Sequence, residues 1–363
     1  MENKISPKRI LLTGASGTVG FETLQHLAEH TDYEITVFDI KTKKSVKKLA
    51  PFRSRVEIIY GDITNREEVL KAARNKDVAI HLAAVIPPLA DTDPEMAYNV
   101  NVKGTQNLIY ALEKSSPHCY LIFSSSISVY GDRINNPEII VSDVLQPSAG
   151  DQYGQTKVLC ESLIVQSKLS WSIFRLAAIM GNHKISKLMF HMPLQTPIEI
   201  CTPKDTGRAF AKAVEHQKKL EKQIFNLGGG EHCVILYKSF LDKMFAAFGL
   251  GEADFPQKAF AEKNFHCGIL KDGDDLDNIL GFREQNLNDY FQMVRQRIHP
   301  LQKITTFLFR SSIKKWLLWQ SDPYKAYKKG NLKEMDHFFN QSEEKETGKG
   351  FILKILNNSS YEN

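Results

Sequence analysis

Tyr153 and Lys157 stand four residues apart in the run Tyr153-Gly154-Gln155-Thr156-Lys157. On a helix that spacing puts both side chains on one face. An ammonium beside a phenol favours the phenolate and lowers the phenol from its ordinary value near ~10. A phenolate so tuned can take the proton of a substrate hydroxyl while hydride leaves the same carbon. Ser126 closes the run Phe123-Ser124-Ser125-Ser126 and could donate a hydrogen bond to that hydroxyl's oxygen. A tyrosine and lysine at this spacing are also common as a surface pair. The serine cluster before them and a glycine turn near the chain's start favour the chemical reading.

Those side chains need a strand to carry Ser126, a helix to carry Tyr153 and Lys157, and a place for a hydride acceptor. The last is read at Arg9-Ile10-Leu11-Leu12-Thr13-Gly14-Ala15-Ser16-Gly17-Thr18-Val19-Gly20. An apolar run stops at Thr13, glycines follow at 14, 17 and 20, and an amphipathic segment continues to about His30. Buried strand, glycine turn and helix in that order bring backbone N–H groups of Ser16, Thr18 and Val19 against a pyrophosphate. Gly14 permits the turn, Gly17 the approach of phosphate, and Gly20 the close packing of helix on strand. The spacing is G-x-x-G-x-x-G, a variant of the general dinucleotide fingerprint.

Strands alternate with helices beyond this turn, which predicts a parallel sheet with right-handed crossovers. Glu34–Phe38 is a strand ending at Asp39, 19 positions after Gly20. An acid there accepts from the adenosine ribose hydroxyls and repels a 2′-phosphate, so NAD is favoured over NADP. Lys41, Lys43 and Lys44 weaken that exclusion, although a solvated helix face accounts for them. Val56–Tyr60 is followed by Asp62 and Ile63, placed to meet adenine; the alternative for Asp62 is a helix N-cap. Val78–Ala84 is a strand buried on both faces, in which Ala83 and Ala84 leave room for a cofactor and His81 reads as a packed residue. Asn99-Val100-Asn101-Val102-Lys103-Gly104-Thr105 lies inside a long helix starting at Pro94. Gly14, Asp39, Asp62, Ala83 and Ser126 all fall at strand carboxyl ends, where ligands of such sheets sit.

The chain has 363 residues, 42% of them hydrophobic and 25% charged, ordinary for a soluble globular protein. A net charge of +5 is too small to imply nucleic-acid binding. Five separate cysteines without C-x-x-C suit reduced thiols in a cytoplasm. Met1–Arg9 has no signal-peptide core, and no apolar run reaches the ~18 residues of a spanning helix. No metal-ligating constellation is read; Asp272-Gly273-Asp274-Asp275-Leu276-Asp277 has Leu276 and Asp277 where a calcium loop needs an oxygen ligand and a glycine.

Taken together, these motifs resemble the extended short-chain dehydrogenase/reductase family, in its NAD-dependent epimerase/dehydratase branch. The resemblance rests on Thr13–Gly20, Asp39, Gly61-Asp62, His81–Ala84, Asn101–Thr105, Phe123–Gly131 and Tyr153–Lys157, and covers about residues 8 to 240. It implies an α/β fold: a Rossmann-like doubly wound parallel sheet with a smaller C-terminal substrate lobe and a helical C-terminal extension. It implies that Ser126, Tyr153 and Lys157 are catalytic, that Tyr153 and Lys157 also hold the nicotinamide ribose, and that Asn101 belongs to a supporting hydrogen-bond network. The sugar-nucleotide members of the family carry an asparagine where this chain has Ala178, and its dehydratases an acidic pair where it has Ile127 and Ser128. Sugar dehydration is therefore disfavoured, and the apolar stretch 182–203, with Met189, Phe190 and Met192, leaves a less polar substrate open.

The expected organisation is a nucleotide-binding domain with the Tyr/Lys pair at 1–180 and a substrate lobe interleaved with returns to the main sheet at 181–290. A basic and aromatic helical extension follows at 291–340, and a mobile tail at 341–363. Ile224–Leu227 followed by Gly228-Gly229-Gly230 reads as a strand with a hairpin exit. Residues 290–321 contain no acid, while Arg295, Arg297, Lys303, Arg310, Lys314 and Lys315 interleave with Phe307, Phe309, Trp316 and Trp319. Two readings stand for 295–320: peripheral contact with an anionic membrane, or docking on the body or a second subunit. The expected activity is that of an NAD-dependent epimerase or dehydrogenase acting on a secondary alcohol or ketone, including one carried by a nucleotide sugar. The alternatives are a reductase of a less polar substrate and a dinucleotide sensor without turnover. The expected setting is a cytoplasmic homodimer binding a small-molecule substrate and no nucleic acid, with the inner membrane surface as the site of any peripheral contact.

Overall fold

A computed structural model describes residues 6–30, 32–181 and 185–340. Strands β1 (Lys8–Thr13), β2 (Tyr33–Asp39), β3 (Glu57–Tyr60), β4 (Val78–His81) and β5 (Tyr120–Ser126) arise in turn from the apolar runs. A short β6 (Glu138–Ile139) precedes β7 (Ser170–Leu176), β8 (Ala178–Ile179), β9 (Pro197–Cys201) and β10 (Gln223–Leu227). The last two strands are β11 (Val234–Leu236) and β12 (Ile269–Leu270). Seven strands form one parallel sheet in the order β10-β7-β5-β4-β1-β2-β3. Central strands such as Ile10-Leu11-Leu12 and Leu121-Ile122-Phe123 are buried on both faces, which is why they read as unbroken apolar runs rather than alternating ones.

The chain runs outward from β1 to β3, then returns to β1's other side at β4. The crevice between the carboxyl ends of β1 and β4 is thus the topological switch point, the usual ligand position of open α/β sheets. Helix Thr18–Ala28 follows β1, and helix Pro203–Ala213 packs beside it. Their approach is close at Gly207, whose side of the helix lies against Glu22 and Thr23.

A second, smaller assembly is built from the three-stranded sheet β11-β9-β8 and helix Tyr237–Phe248. Its core holds Phe190, Ile198, Ile200, Phe240, Phe245 and Tyr290. Met189 and Met192 are buried in that core, so this part of the apolar 182–203 stretch is packing; residues 182–184 lie outside the described set. The glycine run after Leu227 is not a hairpin exit. Strand β10 is the outer parallel strand of the main sheet, and Gly228–Gly230 leads across to β11, which pairs antiparallel with β9. The buried carboxylate of Glu199 holds this crossing by accepting from Gly230 N at 2.9 Å and Leu270 N at 2.8 Å.

The helix expected from Pro94 is present in three parts. Pro94–Ala97 and Gly104–Ser115 are α-helical, and Tyr98–Lys103 between them is wound one residue wider, as a π-helix. The C-terminal extension is helical throughout its described length, over Leu287–Arg297, Pro300–Leu308, Arg310–Gln320, Asp322–Lys329 and Leu332–Phe338. The expectation for 341–363 lies outside the described residues. Among those residues, no helix is long and apolar enough to cross a membrane. All five cysteines are buried and unbridged.

Candidate active site

The three consecutive serines at the end of β5 divide their work because side chains alternate along a strand. The carbonyl of Ser124 accepts from Lys157 Nζ at 2.7 Å. The Ser125 hydroxyl points inward to the carboxylate of Glu161, which is itself paired with Arg175 at 2.7 Å. Ser126 lies on the Tyr153 side, where its hydroxyl favours the ionised phenol. Ser126 Oγ accepts from Ser128 N at 3.2 Å and from Ser128 Oγ at 3.0 Å. With those acceptor positions used, its own proton is directed toward Tyr153.

Tyr153 and Lys157 sit on helix Gln152–Gln166, as their spacing predicts. Asp151 caps that helix, its Oδ1 accepting from Gly154 N at 2.7 Å. Asp151 Oδ2 lies 3.1 Å from His266 Nδ1, which places this cap against the smaller assembly. Neither Asp151 nor His266 stood out in the sequence; the Asp-x-x-Gly spacing before Tyr153 is the cap signal that could have found the first.

The expectation of a phenol lowered by its lysine is not met in this geometry. Burial pushes the Tyr153 phenol well above its ordinary value, and only the Ser126 hydrogen bond opposes it appreciably. Lys157 Nζ is spent on Ser124 O and lies 4.6 Å from the centre of the Phe123 ring and 5.6 Å from that of Tyr153. Burial in turn lowers the Lys157 ammonium to about 8. Desolvation here outweighs the mutual support expected of a cation and a phenolate.

Asn101 is 2% exposed and sits in the π-helical turn. Its amide pairs with both backbone groups of Val85, accepting from N at 2.7 Å and donating to O at 3.0 Å. The same amide nitrogen donates to Thr156 Oγ1 at 3.0 Å, and Thr156 Oγ1 donates to the Tyr153 carbonyl at 2.8 Å. Asn101 therefore fastens the segment after β4 to the helix that carries Tyr153. Thr156 was not singled out in the sequence, because a threonine inside a helix carries no signal of its partner.

The glycine turn is formed as its residue types require. Gly14 has φ +74°, and a Cβ there would lie 2.6 Å from Ala83 N. A Cβ at Gly20 would meet Gly14 O at 2.1 Å, so the close packing falls on the turn itself. Gly17 is the N-cap of helix Thr18–Ala28 and no side chain caps that end. A Cβ on Gly17 would touch only Gly14 O, at 3.1 Å, and the space beyond is open. An uncapped helix start behind an open glycine face fits a pyrophosphate. Thr18 packs its methyl toward Gly181 and Val19 is half-buried against the main core, so these two offer backbone rather than side chain.

Asp39 stands at the end of β2 as expected, but its carboxylate turns toward the turn. Oδ2 accepts from Ser16 N at 2.7 Å and Oδ1 from Ser16 Oγ at 3.0 Å. The residue is 6% exposed, and burial raises its carboxyl above the usual range. Lys48 Nζ holds the turn from outside, donating to Ser16 O at 3.1 Å and Gly17 O at 2.8 Å. Asp62 is exposed and is not the helix N-cap; Asn65 is. Its Oδ1 accepts from Thr64 N and Thr64 Oγ1, both at 2.8 Å. The Ile63 side chain is buried against Gly104 and its carbonyl accepts from Asn107, which leaves only its N–H for a ligand. Ala83 and Ala84 are half-buried beside Gly14.

The model of the 3-beta hydroxysteroid dehydrogenase/isomerase family matches residues 11–171. The chain is similar to the 3 beta-hydroxysteroid dehydrogenase type 7 of Mus musculus, at 29% identity over 162 residues, 43% of this chain and 44% of that protein. It is also similar to UDP-glucose 4-epimerase 3 of Oryza sativa subsp. japonica, at 33% identity over 171 residues, again 43% and 44%. The chain thus spans less than half the length of these relatives. A short-chain dehydrogenase/reductase superfamily protein from Agrobacterium tumefaciens, solved with bound NAD, shares the fold at a TM-score of 0.62 and 18% identity, over 84% of this chain and 99% of that one. Residues 11–171 are thus similar to the 3-beta hydroxysteroid dehydrogenase/isomerase family, and the chain shares the fold of a short-chain dehydrogenase/reductase superfamily protein.

Proposed function

We propose that this protein is an NAD-dependent enzyme that interconverts a secondary alcohol and a ketone. The observation that carries the reading is the placement of the Ser126 hydroxyl beside Tyr153, with Lys157 one helical turn on, beside the switch point where the glycine turn opens. NAD, when bound, supplies the hydride acceptor. The N–H groups at Thr18 and Val19 hold its pyrophosphate, the Ser16 N–H expected to join them being given to Asp39 instead, and the remaining lone pairs of Asp39 take the adenosine ribose hydroxyls. Asp62 and the Ile63 N–H flank the adenine, Ala83 and Ala84 give room beside the nicotinamide, and Lys157 with Tyr153 holds its ribose. NADP is disfavoured by the Asp39 carboxylate.

In the oxidising direction Tyr153 takes the proton of the substrate hydroxyl, and Ser126 donates to the same oxygen. In the reducing direction Tyr153 returns that proton. An epimerase performs both on one substrate molecule; a dehydrogenase performs one and consumes cofactor. The dehydrogenase of a less polar substrate gains support from Ala178 of β8, which pairs with Ile200 of β9 and offers no amide to a nucleotide diphosphate. The match to the 3-beta hydroxysteroid dehydrogenase/isomerase family points the same way.

Mass spectrometry of small molecules retained through purification, followed by absorbance assays with sterol-like alcohols and with UDP-sugars, tests these readings. Steady growth of NADH with substrate rules out pure epimerisation. Retention of full biological activity by Tyr153→Phe would instead favour a dinucleotide sensor.

A further inference from the structure

Helices Pro300–Leu308 and Arg310–Gln320 form a pair on the surface of the smaller assembly. The second helix is fixed to the body: Leu317 is 2% exposed, Ile313 and Leu318 pack beside it in the core with Phe240 and Phe245, and Lys314 pairs with Asp254. The first helix buries none of its residues. Together they hold Ile304, Phe307, Leu308, Phe309, Trp316 and Trp319 outward, with Leu308 and Trp319 each 70% exposed. Scattered exposed apolar residues are normal, but six large ones on two adjoining helices form a patch that calls for a partner.

The charges on this patch identify the partner. Arg310 lies over the Phe307 ring at 4.5 Å and Lys325 over the Trp319 ring at 5.2 Å, so cations share the face with the exposed aromatics. Lys303 and Lys315 are also exposed, and no acidic residue occurs between 290 and 321. A two-fold contact with a second copy would set this cationic face against itself. An anionic bilayer surface complements it: aromatic and aliphatic side chains enter the headgroup boundary while Lys and Arg meet lipid phosphates. We infer that this helix pair is an interfacial anchor that seats the smaller assembly on an anionic membrane without crossing it. The anchor stands apart from the catalytic residues, so it is tested separately from the proposed activity.

The full chain is mixed with sedimentable vesicles of phosphatidylcholine alone or with phosphatidylglycerol added, and tryptophan emission is recorded. The chain has three tryptophans, of which Trp171 is buried and Trp316 and Trp319 are exposed on this pair of helices, so a shift of emission on adding vesicles reports on the pair. The expected result is co-sedimentation with the anionic vesicles only, a blue shift of emission, and severalfold weakening as salt is raised. Phe307→Ser with Trp316→Ser should abolish the binding. Lys303→Gln, Arg310→Gln and Lys315→Gln together should reduce it to the phosphatidylcholine level. Unchanged dinucleotide binding verifies that the variants fold. A full chain that stays in the supernatant with anionic vesicles at low salt overturns the proposal, whether the face is covered by a second copy or by residues 341–363. Equal vesicle binding by the parent chain and the Phe307→Ser, Trp316→Ser variant overturns it as well.

Discussion

His81 Nδ1 lies 2.7 Å from Thr13 Oγ1, which joins the end of β4 to the end of β1 at the switch point. The direction of this contact follows from its neighbours. Thr105 Oγ1 donates to Asn101 O at 2.6 Å, so His81 Nε2, 3.0 Å from Thr105 Oγ1, must carry the proton. Nδ1 then accepts from Thr13, whose own oxygen accepts from Leu82 N and Ala83 N, both at 3.2 Å. The ring is neutral, and burial with the nearby Lys157 charge lowers it from its ordinary value to about 3. Because the folded value lies below the unfolded one near ~6.5, this stabilisation is complete above that pH and is lost as pH falls from there toward 3. The loss has a limiting slope of about 1.4 kcal/mol per pH unit. Urea titrations from neutral to mildly acid pH should show the parent chain losing stability faster than His81→Gln. Equal slopes would mean that the histidine is not held neutral.

Thr156 lies between Asn101 and the Tyr153 carbonyl, and it has no other visible role. Thr156→Val keeps the shape and removes the hydroxyl, so the Asn101 amide loses a partner and Tyr153 loses a tether. A small displacement of a proton-transfer group lowers turnover more than substrate affinity. The expected outcome is a kcat reduced roughly ten- to a hundredfold, with KM and dinucleotide affinity little changed. Thr156→Ser should restore most of the rate. A fall in dinucleotide affinity alone would mean that the tether serves the cofactor side instead.

How far the site was legible in the sequence depended on whether its residues announce themselves locally. Gly14, Gly17 and Gly20 do, because the turn admits little else, and the buried strands do, because a sheet covered on both faces needs continuous apolar runs. Tyr153 and Lys157 do, because helical spacing is fixed. What stayed hidden is what depends on contacts across the fold. Ser128 aims Ser126 from two residues away, His266 meets the cap of the catalytic helix from more than a hundred residues away, and Glu199 holds two separate loops. The balance at Tyr153 is hidden for the same reason: spacing reveals the lysine but not how deeply the pair is buried, and burial wins. The glycine run at 228–230 reads locally as a hairpin because nothing in its own stretch shows that β11 joins a different sheet.

Asp39 has two tasks, and one substitution can separate them. Its proposed task is to exclude a 2′-phosphate, and its observed one is to fasten Ser16 of the glycine turn through two hydrogen bonds. Asp39→Ala should therefore improve NADP affinity relative to NAD, and it should weaken NAD by roughly tenfold or more, since one bond to a charged group is worth about 1.5–3 kcal/mol. Adding Ser16→Ala to Asp39→Ala should cost little further, because the two residues share one set of contacts. Fluorescence titration with both dinucleotides measures this. An unchanged NAD/NADP preference would show that the acid does not face the ribose.

If Tyr153 moves the proton as proposed, its elevated phenol sets opposite pH dependences for the two directions of the reaction. Oxidation of an alcohol needs the phenolate, so its rate should rise with pH and continue rising into the alkaline range, given that burial holds the phenol high. Reduction of the ketone needs the protonated phenol, so its rate should stay level and then fall only at alkaline pH. Lys157, lowered to about 8, loses its charge earlier, which removes positive charge from beside the phenol and a donor from Ser124 O. Lys157→Met should therefore move the oxidation profile further toward alkaline pH and weaken the dinucleotide. Tyr153→Phe should lower both directions by about 10²–10⁴-fold, the range for a positioned acid or base, while dinucleotide binding persists. Parallel pH profiles for oxidation and reduction would assign the titration to a group other than Tyr153.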